Sequence, residues 1–139
     1  MRHRLHNLLA IAITAATLFA VGPAQAQDDA SRRLDALEEA AERAVSQRRW
    51  LQAAHAYREV AAARPTPSVK LREMFAWLRA DACVEATRAS SELLSMQTSR
   101  GAATEAAREV QVGCHLRAAE AAVDAGDLAA AERALGSAR

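Results

Sequence analysis

The chain has 139 residues, 51% of them hydrophobic, 25% charged and 4% aromatic, and carries a formal net charge of +1. That length is one domain's worth, and a near-neutral charge with no basic block gives no electrostatic footprint for nucleic acid. Abundant alanine with few β-branched and aromatic residues favours helix over strand.

The chain opens with a short basic segment, Met1 to Asn7, carrying Arg2 and Arg4. Leu8 to Val21 follows without a charge, Gly22 and Pro23 break the run, and Ala24-Gln25-Ala26 gives the small-x-small pattern that signal peptidase reads. This order is the secretory signature. Residues 1–26 are therefore expected to be a cleaved signal peptide and 27–139 a mature helical domain, exported and either periplasmic or secreted. The apolar run is shorter than the roughly 20 residues a spanning helix needs, and no second run follows, so no stable membrane span is expected after cleavage. An uncleaved signal anchor is the alternative. Removing 26 of 139 residues leaves 113, and losing Arg2 and Arg4 takes the formal charge from +1 to −1.

Residues 27–30 form a polar lead-in, and Ser31 or Asp29 is the expected cap of a first helix. Its apolar face carries Leu34, Leu37, Ala41 and Ala44/Val45, and it ends near Gln47. Arg48-Arg49 turns the chain into a second helix with Trp50, Ala53/Ala54, Tyr57 and Val60/Ala61 on one side. Arg64-Pro65-Thr66-Pro67-Ser68 ends it, because the residue before a proline is driven out of the helical region. Ser68 is the expected cap of a third helix with Leu71, Met74/Phe75 and Leu78 inward and Trp77 at the flank. Asp81-Ala82 turns the chain again, and a fourth helix carries Cys83, Ala86, Ser90 and Leu93/Leu94. A loop around residues 98–101 leads to a long fifth helix over about 103–125, with Val112, Leu116, Ala119 and Val123 in line. Gly126-Asp127 breaks it before a short last helix with Leu128, Ala131 and Leu135.

Cys83 and Cys114 both lie in the exported part, and two cysteines in an oxidising compartment most often pair. Closing a loop of about 30 residues would be worth roughly 3–4 kcal/mol by loop entropy. Two buried free thiols are the alternative.

The second members of the helix pairs look alike. Each starts after a turn with a bulky or sulfur side chain (Trp50, Cys83, Leu128) and has an alanine three residues on (Ala53, Ala86, Ala131). The first two alanines are 33 residues apart and the last two 45, one period plus an insertion of about a dozen. The pattern of turn, Trp50, Ala53, Tyr57 and closing Pro65, with Gly126-Asp127-Leu128 and Ala131 in the last copy, resembles the tetratricopeptide repeat. The resemblance implies an all-α fold, a short stack of antiparallel helix pairs, whose first helices line a concave face for a protein or peptide partner. On that face Lys70, Glu73 and Trp77 are the candidate contacts, an aromatic among charged neighbours being a common hot-spot composition. A plain alanine-rich helical bundle, structural or self-associating and without a ligand groove, is the alternative.

No catalytic constellation or cofactor motif emerges. His55 and His115 lie in different units, and adjacent Cys114 and His115 point to different sides of a helix, so no metal-ligand spacing forms. Asp35, Glu38, Glu39 and Glu42 make an acidic stripe that reads as a solvated face, with Arg43 four residues after Glu39.

Overall fold

The computed structural model describes residues 23–96 and 101–138. The apolar run expected to be the core of a signal peptide lies outside the described residues. Among those described, the chain is all-helical, with no strand. The helices are α1 (Pro23–Ser46), α2 (Trp50–Ala63), α3 (Pro67–Arg79), α4 (Cys83–Met96), α5 (Ala102–Asp124) and α6 (Leu128–Ser137). The chain divides into two units, residues 1–31 and 32–139. The described part of the first is the opening of α1, and all the packing below belongs to the second.

The start of α1 differs from the sequence expectation. The described helix already runs through residues 23–31, so neither Asp29 nor Ser31 caps it, and Ala26 lies inside it. No glycine or further proline interrupts the sequence before Ser46.

Three turns are built the same way. Arg48, Asp81 and Gly126 take the left-handed conformation, with φ of 58°, 59° and 77°. The next residue in each case donates its backbone N–H five residues back: Arg49 to Ala44 (2.8 Å), Ala82 to Trp77 (3.0 Å) and Asp127 to Ala122 (2.9 Å). The left-handed residue itself donates three back, to Val45, Leu78 and Val123. This double bond is the Schellman ending, which satisfies carbonyls that a helix terminus leaves free. The following helix opens two residues later, at Trp50, Cys83 and Leu128.

The α2–α3 link is different. Thr66, not Ser68, caps α3, its hydroxyl accepting from the Val69 N–H at 3.3 Å. Pro67 occupies the first helical position, so the residue before it becomes the cap, and proline holds that residue extended (φ −122°, ψ 150°).

Helices consecutive in the chain pack on one another from α2 to α6, and α3 also reaches α5. Small side chains make this possible: Ala41, Ala53, Ala54, Ala86, Ala89 and Ala107 are fully buried. One core cluster runs from Ala41 and Ala44 of α1 through to Val110 and Cys114 of α5. A smaller one joins Val60, Ala61 and Val69, with Leu37 against it. Cys83 and Cys114 are bonded, with Cα atoms 5.3 Å apart, which ties α4 to α5.

The inward faces of two helices differ from their apolar pattern, in part for α3 and mostly for α5. In α3 Met74 is buried and Leu71 and Leu78 pack against the core as expected, but Val69, Lys70, Glu73, Ala76 and Trp77 are buried too, while Phe75 is 41% exposed. In α5 the buried residues are Thr104, Ala107, Val110, Cys114 and Ala119. Val112, Leu116 and Val123, expected in line with Ala119 in the core, are exposed. The disulfide ties the Cys114 side of α5 to α4, so Val112 and Leu116 fall on other sides of the helix. In α6 only Ala131 is buried, and Leu128 and Leu135 stand open to solvent.

The turn geometry gives a direct test by urea unfolding. Replacing Arg48 by glycine relieves a left-handed non-glycine residue and is expected to stabilise by about 0.5–1 kcal/mol, whereas Gly126→Ala should cost about 1 kcal/mol or more. Gly113 lies inside α5, where an added Cβ meets nothing within 4 Å, so Gly113→Ala should stabilise by roughly 0.5–1 kcal/mol.

Candidate functional site

Lys70, Glu73 and Trp77 stand at i, i+3 and i+7 on α3, one face of a helix. Thr66 and Pro67 fix where that helix begins and so which way the face points. It points inward: Glu73 is 0% exposed, Trp77 2% and Lys70 8%. The partner-facing surface that the sequence reading puts at these residues is thus a buried charge cluster, with only Lys70 bordering open space.

A buried carboxylate is costly unless charge and hydrogen bonds meet it. Lys70 Nζ donates to Glu73 Oε2 at 2.8 Å, and the Trp77 indole N–H donates to Oε1 at 3.3 Å. From α2, Arg58 Nε lies 3.5 Å from Glu73 Oε1, and from α4 one Arg88 terminal nitrogen lies 3.5 Å from the same atom. Arg58 also stacks its guanidinium over the Trp77 ring, 4.4 Å from the centroid, an attraction that strengthens as water is excluded. His55, also of α2, meets the same ring edge-on with the centroids 4.9 Å apart. A second carboxylate, Glu92 of α4, accepts from Lys70 and, at 3.1 Å, from Arg88.

Three cations, Arg58, Lys70 and Arg88, therefore face two carboxylates, Glu73 and Glu92. The cations are incompletely used. Charge-assisted N–H···O bonds normally close to about 2.7–2.9 Å, and both arginine contacts to Glu73 are longer. Arg58 Nε is buried and makes no hydrogen bond among the described residues, only the 3.5 Å ion contact. Burial alone would lower the Lys70 ammonium's pKa, but hydrogen bonds to Glu73 and Glu92, with their charges, outweigh it and hold it above its usual 10.5. The Lys70 hydrogen bond holds Glu92 below its usual 4.5 against partial burial, with the charges of Lys70, Arg88 and Arg58 adding to it.

Over this cluster an open groove of about 420 Å³ runs between α2 and α4. Arg58, Lys70, Arg88 and Glu92 line it with charge, and Ala61, Ala62, Pro65 and Met96 line it with apolar surface. The arrangement places positive charge beside an apolar surface. It can hold an anion.

Of the repeat-packing residues, Ala53, Tyr57, Ala86 and Ala131 are buried. Trp50 is half-buried with the Arg79 guanidinium 5.9 Å from its ring centroid. Pro65 is exposed at the groove, Gly126 makes its turn, and Leu128 is exposed. Sequence reasoning missed Arg58, Arg88 and Glu92. Arg88 and Glu92 at i, i+4 were a legible pair, but their tie to α3 depends on packing between helices. The acidic stripe of α1 is also not simply solvated. Arg64 pairs with Asp35 (3.2 Å) and Glu38 (2.7 Å), and Arg72 with Glu38 (2.9 Å) and Glu42 (3.1 Å). Among the described residues no group of three or more His, Cys, Asp or Glu side chains converges to hold a metal ion. No family model, curated protein or solved structure matches the chain.

The cluster makes stability depend on pH with a definite sign. Glu92 has a depressed pKa, so its contribution is present above pH 4.5 and is lost as pH falls through the folded value. Lys70 has a raised pKa, so its contribution is present below pH 10.5 and is lost as pH rises beyond it. Thermal melts between about pH 3 and 7 should show Glu92→Gln with a lower Tm at neutral pH and a shallower acid decline, the two curves converging at the acid end.

Proposed function

We propose that the chain is an exported helical-repeat module, resembling the tetratricopeptide repeat, that binds a protein or peptide segment in the cell envelope or outside the cell. The observation that carries this reading is the threefold turn. Left-handed residues 48, 81 and 126 each carry the same pair of backbone bonds, each lead into a helix two residues later, and each have a buried alanine five residues on. One supersecondary unit used three times, each packed on its neighbour, is the way solenoids build an extended binding surface. Glu73 and Trp77 would serve that surface from within by fixing the middle pair.

Export is tested by the intact mass of the protein isolated from the producing cell, measured with and without reduction before thiol alkylation. The expected mass starts at Gln27 with both thiols blocked until reduction. A mass retaining Met1, or two free thiols, contradicts it. Binding is tested by a photo-crosslinker placed in the producing cell at Ser95, beside the groove, and at Glu132 on α6 as a control. A discrete adduct from Ser95 alone is expected, and none from either site contradicts the module.

A second reading, a self-associating helical bundle, is favoured by one observation. Val123, Leu128 and Leu135 of the last pair are 55%, 68% and 46% exposed, an apolar face of the kind that a further copy can cover. Sedimentation decides: a dimer broken by Leu128→Glu supports this reading, and a monomer at micromolar concentration removes it.

A further inference from the structure

We infer that the groove between α2 and α4 is a subsite for an acidic side chain of a partner polypeptide, a carboxylate flanked by short apolar residues. This rests on the interaction-module reading and adds the chemistry of the partner.

Charge comes first. The cluster holds one more cation than it holds carboxylates, and Glu73, at 0% exposure, is inaccessible to anything outside. What a ligand meets is Arg58 and Arg88, with side chains 35% and 47% exposed, and Lys70 behind them. Arg88 already gives one terminal nitrogen to Glu92 at 3.1 Å and the other to Glu73 at 3.5 Å, whereas Arg58 meets Glu73 only through Nε at 3.5 Å, so its two terminal nitrogens are left for a planar acceptor beside the charge of Arg88. A guanidinium fork matches a carboxylate in shape as well as charge. Glu92, lining the same groove, limits the net attraction to about one charge and repels a dianion. A carboxylate is therefore a better fit than a phosphate.

Shape selects the rest of the ligand. Both helices also give the groove apolar lining, Ala62 from α2 and Met96 from α4, with Pro65 between α2 and α3, and methionine adapts to varied side chains. The groove's 420 Å³ lies within the usual range for ligand sites, but it is open rather than enclosed. An open groove leaves much of a small free acid in water, whereas a segment that continues past it adds contact on both sides. The site lies on the second helices of the pairs, while the repeat resemblance puts partners on the first helices.

The test is a titration of the chain as isolated from the producing cell, followed by 1H–15N NMR including the arginine Nε–H signals. The probes are acetyl-AEAL-amide, its glutamine counterpart acetyl-AQAL-amide, and free glutarate. The acidic peptide is expected to shift Arg58, Arg88 and Met96 and to bind about tenfold more tightly than the glutamine peptide. Glutarate should bind more weakly than the acidic peptide. Arg88→Gln should reduce affinity by about fivefold to tenfold and Arg88→Lys by less, because lysine keeps the charge without the fork. Arg108→Gln, an exposed charge on α5, should change nothing. Equal binding of the two peptides, shifts outside the groove, or no binding of the acidic peptide overturns the inference. Glutarate binding as tightly as the peptide overturns the commitment to a polypeptide. If the Ser95 crosslink forms while the titration fails, this inference falls and the module reading stands. If the titration succeeds without a crosslink, the groove takes an acidic segment but the module reading falls, and with it the assignment of a partner polypeptide.

Discussion

The carboxylate of Glu73 sits where no water reaches it, and the middle of the molecule is arranged around that fact. Contacts between alanines can slide along one another at little cost, and by themselves they set the register of neighbouring helices weakly. A buried charge does not tolerate sliding, because losing a partner leaves it uncompensated at a cost of about 3–5 kcal/mol. Glu73 draws Lys70 and Trp77 from its own helix, Arg58 from α2 and Arg88 from α4. Three helices are thus positioned against one side chain. A buried ion pair need not be more stable than a well-packed apolar core; what it supplies here is a defined arrangement.

The same cluster links packing to surface. Matching Glu73 takes more cations than the two carboxylates neutralise, and the excess emerges between α2 and α4 beside apolar surface. On the other side, Arg64 and Arg72 engage the acidic stripe of α1, so the first helix is also held by charge. Toward the C-terminus the means change. The Cys83–Cys114 bond and the Arg117–Asp81 pair at 3.0 Å secure α5, and α6 buries little beyond Ala131. The groove therefore lies on the most strongly tied part of the stack, and the open apolar face on the least.

Much of the helix order was legible in the sequence, for local reasons. Prolines at 65 and 67 break a helix whatever surrounds them. The turns before Trp50, Cys83 and Leu128 are marked at Arg48-Arg49, Asp81-Ala82 and Gly126-Asp127, and the cysteine pairing is expected from a count of two. The faces of α3 and α5 were legible only in part. Ranking side chains by hydrophobicity rightly places Met74 inside, but it also places Phe75 inside and Lys70 and Glu73 outside, and these three are reversed where Arg58 and Arg88 meet Glu73 from other helices. In α5 the small residues Ala107 and Cys114 mark the packed side, while the larger Val112 and Leu116 face out. The cap is Thr66 and not the expected Ser68 because Pro67 takes the first helical position and leaves Ser68 inside the helix.

The most direct test of this account is a double-mutant cycle between Arg58 and Glu73, using Arg58→Met, Glu73→Gln and the double variant in urea unfolding. If Glu73 organises α2 and α3 as described, the two effects are non-additive, with a coupling on the order of 1 kcal/mol or more and the double variant less destabilised than the sum. Simple additivity would mean that Arg58 and Glu73 do not act on each other in the folded protein, and the buried carboxylate would not be the constraint on which the stack and its groove depend.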